Sequence, residues 1–388
     1  MTYGMKCPKC GLMQLPGPKC KSCGTALGGP ARPATAPRPS APPPPQASRP
    51  PAPAPKAAPP PPPSQRMPSE AETGLGEVRQ LFFHGSGGSL FGIHIVNMFL
   101  TVITLGIYYF WGKVRVRRYL LSESEFEGDR FAYHGTGKEL LIGTLKAVLV
   151  FGVPLVLLGI IQEFLVEMPA LKVVLRLVTY AAVLVLIPFA IVGARRYRLS
   201  RTSWREVRFS FRGRALDFIK LFVAGLLLTG ITLGLYYPFF ETRRHGFLVS
   251  HSYFGNQKFD FDGEGRKLFG SFLLAMLLFF PTLGLIWFWY LAKKQRYFWE
   301  HTSFATARFR FTVTGRRLFL LTLGNLLLIV FTLGLGFPWV MVRNARFAFR
   351  YLTLEGPLDL AGIQQEAQAA TATGEALAGF LDAGLDLG

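Results

Sequence analysis

The sequence predicts a mostly α, polytopic membrane protein of tandem ~50-residue repeats, preceded by a small zinc ribbon and a disordered Pro-rich linker. Three observations carry this. Half of the 388 residues are hydrophobic and only 17% are charged, against about 25% in an average soluble domain. Apolar stretches of about 20 residues recur, long enough for a ~30 Å hydrocarbon core. An aromatic motif returns at fixed intervals between them. The formal net charge of +20 sits beside apolar runs, where Lys and Arg meet anionic headgroups, so nucleic acid is an unlikely partner.

Residues 1–28 hold all four cysteines, in Cys7-Pro-Lys-Cys10-Gly and Cys20-Lys-Ser-Cys23-Gly. Two Cys-x-x-Cys-Gly knuckles let Cys7, Cys10, Cys20 and Cys23 reach one tetrahedral Zn²⁺, and four thiolates close the coordination sphere, so the metal is structural. The match to bacterial zinc ribbons covers Cys7 to Gly24. A thiolate site of this kind suits a reducing compartment, so the ribbon is expected in the cytoplasm, where it offers a protein-binding module. Residues 29–76 form the linker: 18 of the 28 prolines fall between Pro30 and Pro68, among Ala and Ser, and such a chain cannot bury enough surface to order itself. No apolar signal-peptide segment stands in Met1 to Gly11. Residues 361–388 carry four acidic and no basic groups and read as a flexible tail.

Residues 77–360 are the membrane body. The aromatic motif occurs as Leu81-x-Phe83, Phe131-x-Tyr133, Phe209-x-Phe211, Phe259-x-Phe261 and Phe309-x-Phe311, at successive offsets of 50, 78, 50 and 50 residues. Its period of two, ended by glycine in four copies, predicts short extended segments between apolar helices. In four copies Thr-Leu-Gly follows, at Thr104, Thr232, Thr282 and Thr332, and a basic residue comes 11 positions later. The second copy is longer and holds two apolar runs instead. Six runs qualify as spans: Leu90–Trp111, Leu140–Ile161, Val173–Val192, Leu216–Phe240, Leu268–Leu291 and Leu318–Val342. If each crossed once, the basic connections 193–215 and 292–317 would fall outside, against the positive-inside rule. Inverting the molecule, or making some runs re-entrant at Thr-Leu-Gly or at Pro238, Pro281 and Pro338, would repair this, and sequence leaves both open. The acidic connection Gln162–Lys172 reads as an external loop between a spanning pair.

The basic clusters placed to grip lipid headgroups are Arg115, Arg117, Arg118, Arg195, Arg196, Arg243, Arg244, Lys293, Lys294, Arg296, Arg343 and Arg346. Asn97 and Asn325 fall inside apolar runs, with Gly225 and Ala275 at the same place in two other copies; they are packing positions or polar points on a path. Lys146 and Lys220 lie in or beside their runs and need a partner or a route to water. The six histidines form no ligand motif, and no phosphate-binding loop, nucleophile elbow or acidic dyad is present, so no enzymatic activity is expected.

Asn97, Thr104-Leu-Gly-Ile-Tyr108, Trp111, Arg115, Arg118 and Tyr119, followed by Phe131-x-Tyr133-x-Gly135, resemble the YjgN-like family of bacterial inner-membrane proteins of unknown function. The resemblance covers about residues 80–355. It implies a multi-pass body in the bacterial cytoplasmic membrane and supplies no activity. Later copies depart from it: Leu235 and Leu285 replace Ile107, and Gly246 stands where Arg118 does. The leading functional expectation is a transporter-like or channel-like body with internal repeats. The alternative is a membrane-anchored scaffold that binds anionic lipid and recruits a protein through the ribbon.

Overall fold

The structure, a computed structural model, describes residues 5–6, 13–14, 78–165, 167–358, 360 and 362–363. The chain divides into two compact units, Met1–Gln65 and Arg66–Gly388. In the first, β1 (Met5–Lys6) pairs antiparallel with β2 (Met13–Gln14). The cysteines, the linker and the tail after residue 363 lie outside the described residues.

In the second unit one succession of elements occurs five times: a strand, an antiparallel pair of helices, and a strand that returns to pair with the first. β3 (Val78–Phe83) leads through α1 (Gly87–Ile103) and α2 (Tyr109–Ser122) to β4 (Ser124–Phe126). β5 (Asp129–Tyr133) leads into α3 (Gly137–Ala147), continued by a π-helical turn into α4 (Val153–Ile160) and a second such turn to Leu165; α5 (Pro169–Ser200) descends to β6 (Thr202–Trp204). β7 (Val207–Phe211), α6 (Ala215–Ile231), α7 (Tyr237–Ser250) and β8 (Ser252–Phe254) make the third. β9 (Gln257–Phe261), α8 (Gly265–Leu277), α9 (Ile286–Glu300) and β10 (Thr302–Phe304) make the fourth. β11 (Ala307–Phe311), α10 (Gly315–Phe331), α11 (Phe337–Tyr351) and β12 (Leu352–Glu355) make the fifth.

The strands close into one antiparallel barrel, sealed where β12 meets β3 through Glu355↔Val78, Leu354↔Arg79 and Thr353↔Gln80. The expected short extended segments between helices are thus strands of one sheet, whose closure into a barrel the sequence did not indicate. Strands of three to six residues cannot hold themselves apart from a sheet. They are joined by tight turns such as Glu127-Gly128 and Arg205-Glu206, where both residues have positive φ, the twist a two-residue hairpin needs. Directly paired residues form a belt inside the barrel: Leu81↔Phe126, Phe131↔Trp204, Phe209↔Phe254, Phe259↔Phe304 and Phe309↔Leu354. These ten side chains belong to one cluster, and Leu358, Leu360 and Ile363 pack against it from beyond β12. The barrel interior is therefore a hydrophobic core.

Four of the six apolar runs are not single helices. Leu90–Trp111, Leu216–Phe240, Leu268–Leu291 and Leu318–Val342 each contain a complete reversal, at residues 104–108, 232–236, 278–285 and 332–336. Hydropathy sees only continuous apolarity, and a turn made of Thr, Leu and Gly does not interrupt it. Among the described residues, two helical stretches are long and apolar enough to cross a membrane, Gly137–Phe164 and Pro169–Ser200, each containing an 18-residue window with a mean hydropathy of 2.4. The expected loop Gln162–Lys172 is largely helical: the ascending helix runs to Leu165 and α5 starts at Pro169.

Candidate functional site

The far end of each short hairpin is a repeated turn. Thr104 Oγ1 donates at 2.7 Å to Leu100 O, which also accepts from Thr104 N, and accepts from Tyr108 N at 2.9 Å, so one hydroxyl ties the end of α1 to an orphan amide near the start of α2. Thr232, Thr282 and Thr332 do the same toward Leu228 and Tyr236, Leu278 and Ile286, and Leu328 and Gly336. The next residue, Leu105, Leu233, Leu283 or Leu333, takes φ near +50°, a conformation costing a non-glycine residue roughly 1–2 kcal/mol. These leucines are 94, 86, 92 and 92% exposed. Glycine or asparagine would fit the backbone better, yet all four copies carry leucine there.

The tip of the long pair is opposite in character. Glu163 and Arg176 form an ion pair at 2.5 Å, Gln162 donates to Leu175 O and Thr179 Oγ1, and Lys172 donates to Glu163 O.

At the feet, the basic residues separate into two groups. Arg115, Arg118, Arg243, Lys293, Arg296, Arg343 and Arg346 are exposed. Arg117, Arg195, Arg196, Arg244 and Lys294 are partly buried and turn toward protein. Arg117 reaches Tyr133 Oη and Arg195 reaches Ser252 Oγ, both at 3.4 Å. Arg244 and Lys294 both meet Glu241 Oε1, at 3.0 and 3.4 Å, tying α7 to α9. Glu139 binds Arg201 through two bonds of 3.1 Å and accepts from Tyr197 Oη at 2.9 Å, locking the foot of the long pair. The sequence reading missed both carboxylates; a lone Glu on a basic helix face was the available signal.

The polar positions inside the runs lie at helix crossings. Asn97 donates to Gly112 O at 3.2 Å, and Asn325 donates to Asn344 Oδ1 at 2.7 Å. At the matching position in the third hairpin, a Cβ on Gly225 would stand 2.1 Å from the ring of Phe240. Lys146 and Lys220 are exposed on their helix surfaces. Among the described residues, no cluster of His, Cys, Asp and Glu could hold a metal.

Contacts between successive units recur around the ring. A Cβ on Gly137, Gly265, Gly315 or Gly87 would collide with Trp111, Phe239, Trp289 or Trp339 of the preceding unit, the last closing the fifth unit onto the first. Six residues before the returning strand, an arginine reaches the next unit: Arg196 Nη2 donates to Gly213 O at 2.8 Å, and Arg346 Nη2 to Gly85 O at 2.7 Å. The third unit has Gly246 at this position, where a Cβ would meet the Phe261 ring of the fourth at 2.9 Å. A cleft of about 580 Å³ opens there, lined by Phe239, Arg243, Gly246, Phe247, Gly263 and Arg266 among others. The departure at Gly246 was visible in sequence, but a cleft between units was not.

A profile described as bacterial protein of unknown function (DUF898) matches residues 79–287 and 271–380. Three relatives carry the name inner membrane protein YjgN. That of Escherichia coli K12 is 34% identical over 151 residues, 38% of this chain and 35% of its own length. Those of Escherichia coli O157:H7 and Salmonella typhimurium are each 37% identical, over 33 and 34% of this chain and 30 and 31% of theirs. The chain thus spans about a third of the length of these curated relatives. No solved structure matches.

Proposed function

The chain belongs to the DUF898 family of bacterial proteins of unknown function, and from that premise we propose that it is an integral inner-membrane protein working as a one-sided platform. Four half-depth hairpins and one crossing pair hold the barrel at the cytoplasmic surface, and the N-terminal ribbon recruits a protein. The observation that carries this reading is that every helical pair starts and ends in neighbouring strands of one barrel. All connections therefore leave from the same end, and the positive-inside rule is met without inverting any unit.

Depth supports it further. Ten residues separate each apolar tip from a basic residue on the returning helix: Leu105 from Arg115, Leu233 from Arg243, Leu283 from Lys293, and Leu333 from Arg343. At 1.5 Å per residue that is ~15 Å, about half of the ~30 Å hydrocarbon core. The short hairpins enter one leaflet, while the longer pair brings Glu163 and Arg176 to water on the far side. Irregular backbone at hairpin depth is tolerable because each Thr satisfies its own turn. The exposed arginines and lysines then lie at headgroup level, matched to anionic lipid. A conduit along the barrel axis is disfavoured by the aromatic belt that fills it.

For the ribbon, pairing of Met5-Lys6 with Met13-Gln14 brackets Cys7-x-x-Cys10 between two strands, as in a zinc knuckle. Four thiolates suit Zn²⁺, which would supply folding energy and no catalysis.

The test is thiol accessibility in right-side-out and inverted vesicles of the full chain without its native cysteines. Cysteines at Glu127, Glu206, Asn256 and Thr306 are expected to label only from the cytoplasmic side, and at Glu167 only from the other. Labelling of Glu127 and Glu206 from opposite sides would defeat the one-sided arrangement.

A further inference from the structure

We propose that the cleft at Gly246 is a binding site for the headgroup of a phospholipid bearing a primary ammonium, seated where the other units carry an arginine. The ring supplies the argument. Arg196 and Arg346 each send a guanidinium to the carbonyl of the next unit's glycine. In the third unit the equivalent side chain is missing, because residue 246 is glycine; Gly246 lines the 580 Å³ cleft, with the Phe261 ring beside it. That volume falls within the ~300–1,000 Å³ usual for small-ligand sites. A primary ammonium is the ligand group that replaces a guanidinium as a hydrogen-bond donor, and Glu264 at the cleft wall supplies the opposite charge.

The rest of the lining fits the remainder of such a lipid. Arg243 and Arg266 bring two cations for a phosphodiester; Arg243 is oriented by a 2.7 Å bond to Tyr236 Oη, and Arg266 is exposed at the start of α8. Phe239 and Leu221, nearer the hairpin tip, give apolar walls for the glycerol and first methylenes, and Phe247 and Phe261 complete the apolar lining. An anionic lipid would answer the two arginines and leave Glu264 opposed by like charge. A choline headgroup has no N–H to give the Gly263 carbonyl. The inference rests on the membrane reading above only for the depth of the cleft, which lies beside Arg243.

The experiment titrates purified full chain in neutral detergent with dioleoyl phosphatidylethanolamine, and in parallel with the phosphatidylglycerol, phosphatidylcholine and soluble glycerophosphoethanolamine counterparts, counting bound lipid by native mass spectrometry. One phosphatidylethanolamine is expected to bind at least tenfold more tightly than the other three. Gly246→Arg introduces the arginine the other units carry and is expected to abolish that binding. Because a Cβ at 246 stands 2.9 Å from the Phe261 ring, Arg266→Glu at the exposed mouth serves as a second variant, expected to weaken binding tenfold with Tm unchanged. Equal binding of phosphatidylglycerol or phosphatidylcholine overturns the ammonium assignment. Equal binding of the soluble headgroup overturns the lipid assignment. Unchanged binding in a folded Gly246→Arg chain overturns the site itself. None of these readouts depends on vesicle orientation, so the site and the one-sided platform can fail separately.

Discussion

At their feet the long pair α3–α5 and the four short hairpins are built alike, each rising from one barrel strand and returning to its neighbour. At their far ends they differ. The long pair carries Glu163, Glu167, Lys172 and Arg176, and the short ones carry leucines held at positive φ. The same scaffold thus presents two solutions to the bilayer. On the proposed placement, one helix pair reaches water beyond the bilayer, and the others stop inside and must satisfy their own reversal. The difference shows that length and tip chemistry change together, since a charged tip at half depth or a leucine tip in water would each be costly.

Exchanging the tip chemistries should break the comparison most severely. Leu283→Arg places a charge near the bilayer centre, at a cost on the order of 2.5–3.5 kcal/mol on the insertion scale, and is expected to reduce monodisperse protein recovered from membranes several-fold. Glu167→Leu at the crossing tip should leave recovery near that of the parent. Fluorescence-detected size exclusion reads both, and equal losses would show that the two tips share an environment.

The next largest effect concerns the turn hydroxyl. Thr282→Val removes the acceptor for Ile286 N, leaving an amide without water, and is expected to cost about 1–3 kcal/mol in denaturant titration. Thr144 in α3 also donates to the carbonyl four residues back, Leu140 O at 2.9 Å, but lies mid-helix with no turn to cap. Thr144→Val should change stability by less than about 0.5 kcal/mol.

Sharpening the comparison at the feet yields a smaller effect. The long pair is locked by Glu139, which holds both Arg201 and Tyr197. Glu139→Gln should cost about 1 kcal/mol, because the bidentate pair is partly screened by solvent.

The smallest effect is a pH dependence. Burial and the charges of Arg208, Arg118 and Arg201 hold the His134 imidazole below its usual range. The unfolded chain thus takes up this proton before the folded one does, and stability falls as pH drops from about 6.5 through the folded-state value. His134→Asn should flatten the acid side of the Tm–pH curve, and an unchanged curve would remove His134 from the account.

The hairpins were half legible in sequence. Thr-Leu-Gly and the basic residue 11 positions beyond each threonine marked the turns, but hydropathy joined both helices of each hairpin into one run. The aromatic motif announced strands, whereas their partners, Ser124–Phe126, Thr202–Trp204, Ser252–Phe254 and Thr302–Phe304, were too short to stand out from helix ends. The two-residue turns after them were the available signal. Closure of the ring was beyond local reading, because Arg346 meets Gly85 across 261 positions. Cys7, Cys10, Cys20 and Cys23 keep the meaning their spacing gives them, since the structure does not describe them.

The pairing of Val78 with Glu355 also bears on synthesis. The barrel's first strand emerges from the ribosome 277 residues before the strand that covers its edge, so every intermediate length of chain presents an open ladder. Only a completed body has no edge, which gives quality control a simple criterion for unfinished chains. Once sealed, the ring retains no record of where the chain started. A circular permutant cut between Glu127 and Gly128, with residues 356 and 77 joined, has the same neighbours throughout and a different order of birth.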